Sequence, residues 1–257
     1  MKPTDRRGAL RTGAAAALAG ALATACGTEP RPAPTATAAP RRPAPAPAVA
    51  PGPRRFAGHP DEIAHGPRDR PRVALTFHGQ GDPALARTLL GQAEKAGARV
   101  TVLAVGEWLD DHPDLARRVL DGGHDLGNHT QRHIDVNAMT EAEAHAEIVA
   151  CADRLRRLTG SIGTWFRPSR TPHAAPHVVR AARRAGYPHV LSYDVDSLDF
   201  TSPGAAAVVR TVAGTVRAGS VVSLHFGYPD TAAALPLLLA DLDRRGLRAV
   251  TTTELLT

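Results

Sequence analysis

From Arg72 to the C-terminus, short apolar runs alternate with longer stretches in which apolar residues recur every three or four positions. The short runs predict buried strands, and the longer stretches predict helices with one face turned to a core. Strands are expected over 73–77, 100–105, 125–128, 164–166, 189–193, 221–224 and 248–250. Helices are expected over 83–96, 113–121, 141–158, 174–185, 205–216 and 231–245. Local chemistry marks several boundaries. Asp82 before Pro83 makes an N-cap followed by a first-turn proline. Thr140-Glu141-Ala142-Glu143 has the form of a capping box, and Gly97, Gly186 and Gly246 stand where helices should close. The alternation implies parallel strands joined by crossover helices. So many units in one domain predict an α/β fold built as a closed or nearly closed β/α barrel, with an open doubly wound sheet as the alternative. No G-x-G-x-x-G or Walker sequence follows the first strand, which argues against a nucleotide cofactor.

Ahead of residue 71 this pattern is absent. Arg6-Arg7 precede a weakly hydrophobic run from Gly13 to Ala23, too short to span a bilayer as a mature helix. Residues 1–26 therefore read as an export signal. Thr4–Leu10 resembles a twin-arginine signal, and Ala23-Thr24-Ala25-Cys26 resembles a bacterial lipobox, with Ala9 and Ala23 as its departures. On that reading Cys26 is the lipidated N-terminus of a protein anchored to the outer side of the cell membrane; ordinary cleavage near Ala25, giving a secreted protein, is the alternative. Residues 27–70 repeat Ala-Pro and Arg-Pro pairs, a composition that forms no packed core and is expected to act as a semi-extended tether. Residues 71–257 form the predicted domain. The chain has 2 Cys, so a disulfide framework is excluded, and Cys151 is expected to be a small buried residue of a helix.

A formal charge of +6 and a pI near 10.1 point to anionic surroundings. The basic residues are mostly Arg scattered over predicted helices, without a block interleaved with aromatics, so nucleic acid is not an expected partner.

In a β/α fold, chemistry collects at the C-terminal ends of strands. Those positions carry His78, the pair His129 and His133, Arg167, Asp196 with Asp199, and His225. Two imidazoles four residues apart can reach one cation from a turn, which makes His129 and His133 candidate metal ligands. Phe77, Trp165, Phe166, Tyr193, Phe200, Phe226 and Tyr228 gather at the same ends although aromatics make up only 4% of the chain. They serve either to stack on a sugar or to pack the barrel rim.

These residues fall into a known order. Val73-Ala74-Leu75-Thr76-Phe77, then Gly127-Asn128-His129-Thr130-Gln131-Arg132-His133, Phe166-Arg167-Pro168, Asp196-Ser197-Leu198-Asp199-Phe200 and Leu224-His225 resemble the five motifs of the polysaccharide deacetylase family. This family is also called the NodB homology domain or carbohydrate esterase family 4. The resemblance spans about residues 72 to 256. It implies a distorted (β/α) barrel holding a divalent metal, usually zinc, that assists water in removing acetyl from an N- or O-acetylated sugar. It further implies His129 and His133 as metal ligands, His225 as general acid, and Arg167 and Asp199 as groups that orient the base and the acid. An acetylated envelope or extracellular glycan, such as peptidoglycan or a chitin-like polymer, is the implied partner.

The first motif departs from the family. Where the family has Thr-Phe-Asp-Asp-Gly, this chain has Thr76-Phe77-His78-Gly79-Gln80-Gly81-Asp82. The family's base and its third metal ligand are both missing. Three repairs are open: His78 becomes the third ligand, Asp82 swings in from the Gly79-Gln80-Gly81 loop, or His78 serves as base with the metal weak or absent. Smaller departures are Phe200 in place of Trp, Arg170 in place of Tyr and Ser223 in place of Leu. Arg170, Phe200 and Tyr228 are candidate substrate contacts, and a cationic Arg170 favours an acidic glycan. The sequence thus supports an exported deacetylase, or alternatively a degenerate, glycan-binding lipoprotein that has lost both first-motif acids. A metal-binding or structural lipoprotein with no glycan role is a third reading.

Overall fold

The computed structural model describes residues 49–257. The expected export signal, Cys26 and the tether as far as residue 48 lie outside the described residues.

The chain runs β1 (Glu62–Ile63), β2 (Arg72–Gly79), α1 (Pro83–Lys95), β3 (Thr101–Ala104), α2 (Gly106–Asp111), α3 (Asp114–Asp121), β4 (Asp125–Asn128), α4 (Glu141–Thr159) and α5 (Pro176–Arg184). It continues through β5 (Val190–Leu191), β6 (Val195–Asp196), α6 (Ala205–Thr215), β7 (Val221–His225), α7 (Pro229–Arg244), β8 (Arg248–Val250) and α8 (Thr252–Leu255). The boundary chemistry forms as expected. Asp82 caps α1 by accepting from the Ala84 N–H at 2.8 Å, Thr140 and Glu143 close a reciprocal capping box on α4, and Gly97, Gly186 and Gly246 adopt positive φ after α1, α5 and α7.

All strand pairs are parallel, in the order β4-β3-β2-β7-β6, with β8 beside the first half of β2. Beyond β4, single bridges from Asn128 to Phe166 and from Phe166 to Val190 carry the curve round to β5 and β1. The expected strand over 164–166 is reduced to that one bridging residue, because Arg167 turns inward immediately after it. The result is a distorted, incompletely closed barrel. The two-residue strands β1 and β6 and the short helices α2 and α8 fall outside the expected elements, because their hydrophobic runs are too short to show a period.

Alternation along β2 sorts its side chains into two layers. Val73, Leu75 and Phe77 join the core beneath the helices, whereas Ala74 joins an interior floor with Leu103, Trp165, Leu191, Val221 and Leu255. Above that apolar floor the interior turns polar, with Thr76, Ser223, Ser192 and Arg167 all buried. The functional end of the barrel therefore begins one residue layer above a dry plug.

Residues 49–70 are a correction to the expected tether. Phe56 is buried and stacks on Trp165 at 5.3 Å, its N–H donates to His189 Nε2 at 3.0 Å, and β1 pairs with β5. The Pro-rich composition concealed one aromatic anchor and one two-residue strand. Cys151 is buried as expected, and burial raises its thiol to about 12. Phe56→Ala is expected to cost about 3 kcal/mol, as for other truncations of a buried ring. Urea unfolding checks this; an unchanged midpoint would return the segment to the tether.

Candidate functional site

The strand ends open onto a cleft of about 1010 Å³ whose walls include His78, His133, Arg170, Tyr193, Asp196, Phe200, His225 and Tyr228. Parallel pairing sets Thr76 beside Ser223 and His78 beside His225, so one interior face of β2 and β7 carries four polar side chains in a square. The loop after β4 brings in His129 and His133. Ring centroids lie 4.3 Å apart for His78 and His129, 4.9 Å for His129 and His133, and 4.2 Å for His78 and His225.

One nitrogen from each of His78, His129 and His133 falls within 4.8 Å of the others. His129 is the most constrained of the three. Its Nδ1–H donates to the Arg167 carbonyl at 3.0 Å, which fixes the tautomer and leaves a lone pair on Nε2. That Nε2 is buried and has no partner. An unpaired buried acceptor is costly, and here it faces two more imidazoles. Burial pushes His78 and His129 well below the usual histidine range and, with Arg170 and His225 nearby, takes His133 to about 4. All three rings are thus neutral at pH 7, the state in which imidazole binds a cation. On all these counts the donor set fits a divalent metal of the zinc type.

Strained backbone holds the loops in place. Among the described residues five non-glycine positions have positive φ: Thr130, His133, Arg170, Leu198 and Ser202. Two lie in the histidine loop, one in the loop after Arg167, and two flank Asp199. Such conformations persist only where other contacts over-determine them. Asn128 Oδ1 accepts from the Thr130 N–H at 2.8 Å, Thr130 Oγ1 bonds Ser169 at 3.1 Å and accepts from the His133 N–H at 3.2 Å, and the Arg170 Nε–H donates to the His133 carbonyl at 2.9 Å. Gly81 is required on different grounds: with φ near +100°, an added Cβ would sit 2.5 Å from Gly227 Cα, where the loops after β2 and β7 touch.

The expected acid stands opposite. His225 Nδ1–H donates to Asp199 Oδ1 at 2.7 Å; Asp199 Oδ2 accepts the His225 N–H at 2.8 Å and the Thr231 hydroxyl at 2.6 Å. Asp199 is fully buried with every oxygen engaged, so it fixes the ring and turns Nε2 to the cleft. Thr231 stands outside the motifs, in helix α7, so residue order does not single it out.

Arg167 is fully buried. Its guanidinium donates to Thr76 Oγ1 at 2.8 Å and to the carbonyls of Leu191 at 3.2 Å and Ser192 at 3.0 Å, and lies 3.3 Å from His78 Nε2. Burial without a carboxylate lowers it to about 9. Its tie is to the base position, through His78. One of the three repairs is set aside. Asp82 is committed to capping α1 and does not line the cleft. Gly79 continues β2 and faces the helix layer, where an added Cβ would lie 3.0 Å from Ala104 Cα and Val102 Cγ1. An added side chain at 79 would start against these β3 residues. The clustered aromatics divide as well: Phe77, Trp165, Phe166 and Phe226 are core, while Phe200, Tyr193 and Tyr228 wall the cleft.

Comparison with known proteins agrees with this geometry. A sequence model described as polysaccharide deacetylase matches residues 65–190. A peptidoglycan-N-acetylglucosamine deacetylase of Bacillus cereus is 30% identical over 194 residues, covering 74% of this chain and 90% of its own length. The solved structure of a peptidoglycan N-acetylglucosamine deacetylase in complex with a hydroxybenzamide derivative superposes with a TM-score of 0.71 at 24% identity, over 76% of this chain and 92% of that one. A pseudoenzyme of carbohydrate esterase family 4 from Bacillus anthracis superposes with a TM-score of 0.72 at 22% identity, over 77% of this chain and 70% of that one. The chain belongs to the polysaccharide deacetylase family, carbohydrate esterase family 4, whose enzymes are hydrolases acting on acetylated sugars.

The depressed histidines predict a pH response of the metal-free protein. Unfolded, these rings take a proton near pH 6.5; folded, His133 waits until about pH 4 and His78 and His129 are also held neutral. The unfolded state therefore binds more protons in that interval, so stability is complete above about pH 6.5 and is lost as pH falls toward 4. Melting temperatures are expected to drop across this window, and less steeply in His133→Gln. A flat profile would contradict the buried, neutral cluster.

Proposed function

We propose that this protein is a metal-assisted deacetylase of an acetylated cell-envelope glycan, using His78 in place of the family's carboxylate ligand. The observation that carries the reading is the convergence of three neutral imidazoles and a separate His225–Asp199 pair on one cleft. His78, His129 and His133 are the residues that would hold the cation, which when bound supplies Lewis acidity toward an acetyl carbonyl and a more acidic water.

The remaining chemistry belongs to the chain. With no acid at positions 78 and 79, the cleft-wall group assigned to proton handling is His225, held by Asp199, whereas the Asp196 carboxylate on the same wall accepts the Leu198 N–H at 3.0 Å. Asp199 holds its Nδ1–H, so Nε2 can take a proton from the attacking water and return it to the departing amine or alcohol. The imidazolium formed between these events is stabilised by the buried Asp199 carboxylate. Arg170, at positive φ on the rim, presents a backbone N–H suited to the developing oxyanion, and its guanidinium favours an acidic glycan. Phe200 and Tyr228 flank His225 at 5.5 and 5.8 Å and offer faces for a sugar ring. Relatives named as peptidoglycan-N-acetylglucosamine and chitooligosaccharide deacetylases make N-acetylated glucosamine polymers the first substrates to try. Acetate release from such oligomers with zinc supplied is expected, and His225→Ala should lower kcat by about 10²–10⁴-fold while oligomer binding persists.

A second reading is glycan binding without hydrolysis, favoured by the absence of any carboxylate at position 78 and by the outward orientation of position 79. Saturable oligomer binding with zinc bound and no acetate released would establish it in place of the first.

The cellular setting is part of the proposal. Cys26 is read as the lipid attachment point, ahead of the Pro-rich stretch of the sequence. Cells fed a labelled fatty acid are expected to label the wild-type protein but not Cys26→Ser. An unlabelled wild type would point to ordinary cleavage and a secreted protein.

A further inference from the structure

Two of the chain's departures from its family touch each other. Ser223 stands where the fifth motif carries Leu, and His78 where the first carries an acid. In the structure the buried Ser223 Oγ lies 3.1 Å from His78 Nε2. The other polar neighbour of that nitrogen is Arg167 Nη1 at 3.3 Å. A guanidinium can only donate. If Arg167 alone addressed Nε2, that nitrogen would be the acceptor and the ring proton would sit on Nδ1. With Nε2 engaged by Ser223 and Arg167, Nδ1 is the nitrogen left for a cation, and an Nδ1–H has no lone pair to give. A hydroxyl offers the way out: it can accept from Nε2–H, provided Arg167 Nη1, which donates to Thr76 Oγ1 at 2.8 Å, gives up its longer contact to Nε2.

We propose that Ser223 is a positioning residue that gives His78 the tautomer of a metal ligand, its hydroxyl accepting from Nε2–H so that Nδ1 presents its lone pair. In the metal-free protein the single Nε2 lone pair takes a donor from either Arg167 or the hydroxyl; when a cation is held on Nδ1 the hydroxyl turns to accept from Nε2–H and Arg167 keeps its bond to Thr76. A leucine at 223 could play neither part, and a carboxylate at 78 would need no such help. The proposal rests on the three-imidazole reading above, and it makes Ser223 the counterpart of the His78 replacement rather than an independent change.

The test uses the full chain labelled with ¹⁵N-histidine. Long-range ¹H–¹⁵N spectra report the His78 tautomer with and without zinc, and competition with a chromophoric chelator gives the zinc Kd. Wild type with zinc is expected to show His78 protonated on Nε2. Ser223→Ala should stay protonated on Nδ1 and bind zinc about 10–100-fold more weakly, the usual loss when a partner that orients a ligand is removed. Ser223→Thr, which keeps the hydroxyl, should restore both. Zinc affinity unchanged in Ser223→Ala, or a loss that threonine does not repair, overturns the role of Ser223 while leaving the cluster intact. A wild type that binds no zinc overturns the three-imidazole reading, and this proposal falls with it.

Discussion

Arg167 is the residue on which the site's geometry depends. Its backbone N–H donates to Asn128 and its carbonyl accepts from His129, so it fixes the histidine loop from behind. Its side chain crosses the barrel interior to Thr76 and His78 on β2 and to the carbonyls of Leu191 and Ser192. One residue thereby sets the spacing of three segments that share no local sequence. A buried guanidinium tolerates this position only because most of its donors meet an oxygen, and because the apolar floor beneath leaves no water to compete. The same requirement accounts for Thr76, whose hydroxyl is the side-chain oxygen the guanidinium meets.

Replacing a carboxylate by an imidazole changes more than one ligand. On the proposed reading, three neutral rings would bring no negative charge to a cation, and the site would be one unit more positive than one containing an aspartate. It also stands beside an Arg167 that has no acid of its own. Both effects favour anionic or strongly polarised groups at the cleft floor, and the rim residue Arg170 acts in the same sense. Imidazole has a cost that carboxylate lacks: it binds through one nitrogen only, and the other must be told which state to hold. For His129 the Arg167 carbonyl does this; for His225 Asp199 does.

Rigidity is concentrated where these nitrogens must be aimed. Strained residues occur in the histidine loop, beside Arg167 and on both sides of Asp199, each pinned by short-range hydrogen bonds. The helices around them are ordinary, with glycine closures and standard caps. Backbone strain here is thus spent on the orientation of functional side chains, and the crossover helices carry the stability that sustains it.

Much of this was legible in residue order. Apolar periodicity, Asp82-Pro83, the Thr140 capping box and glycine closures determined a parallel α/β barrel, because these signals are local and act through the backbone of a few neighbouring residues. The histidine pair, Arg167, Asp199 and His225 were legible as site residues because they stand at strand ends. Tertiary structure alone decided how they pair. That Arg167 meets Thr76 and His78, and that Phe56 packs on Trp165 ahead of the expected start of the domain, both depend on contacts across the barrel. So does the meeting of Ser223 with His78, which are 145 residues apart in the chain. A hydrogen bond is set by a few tenths of an ångström and by direction, and neither is written in the spacing of residues along a chain.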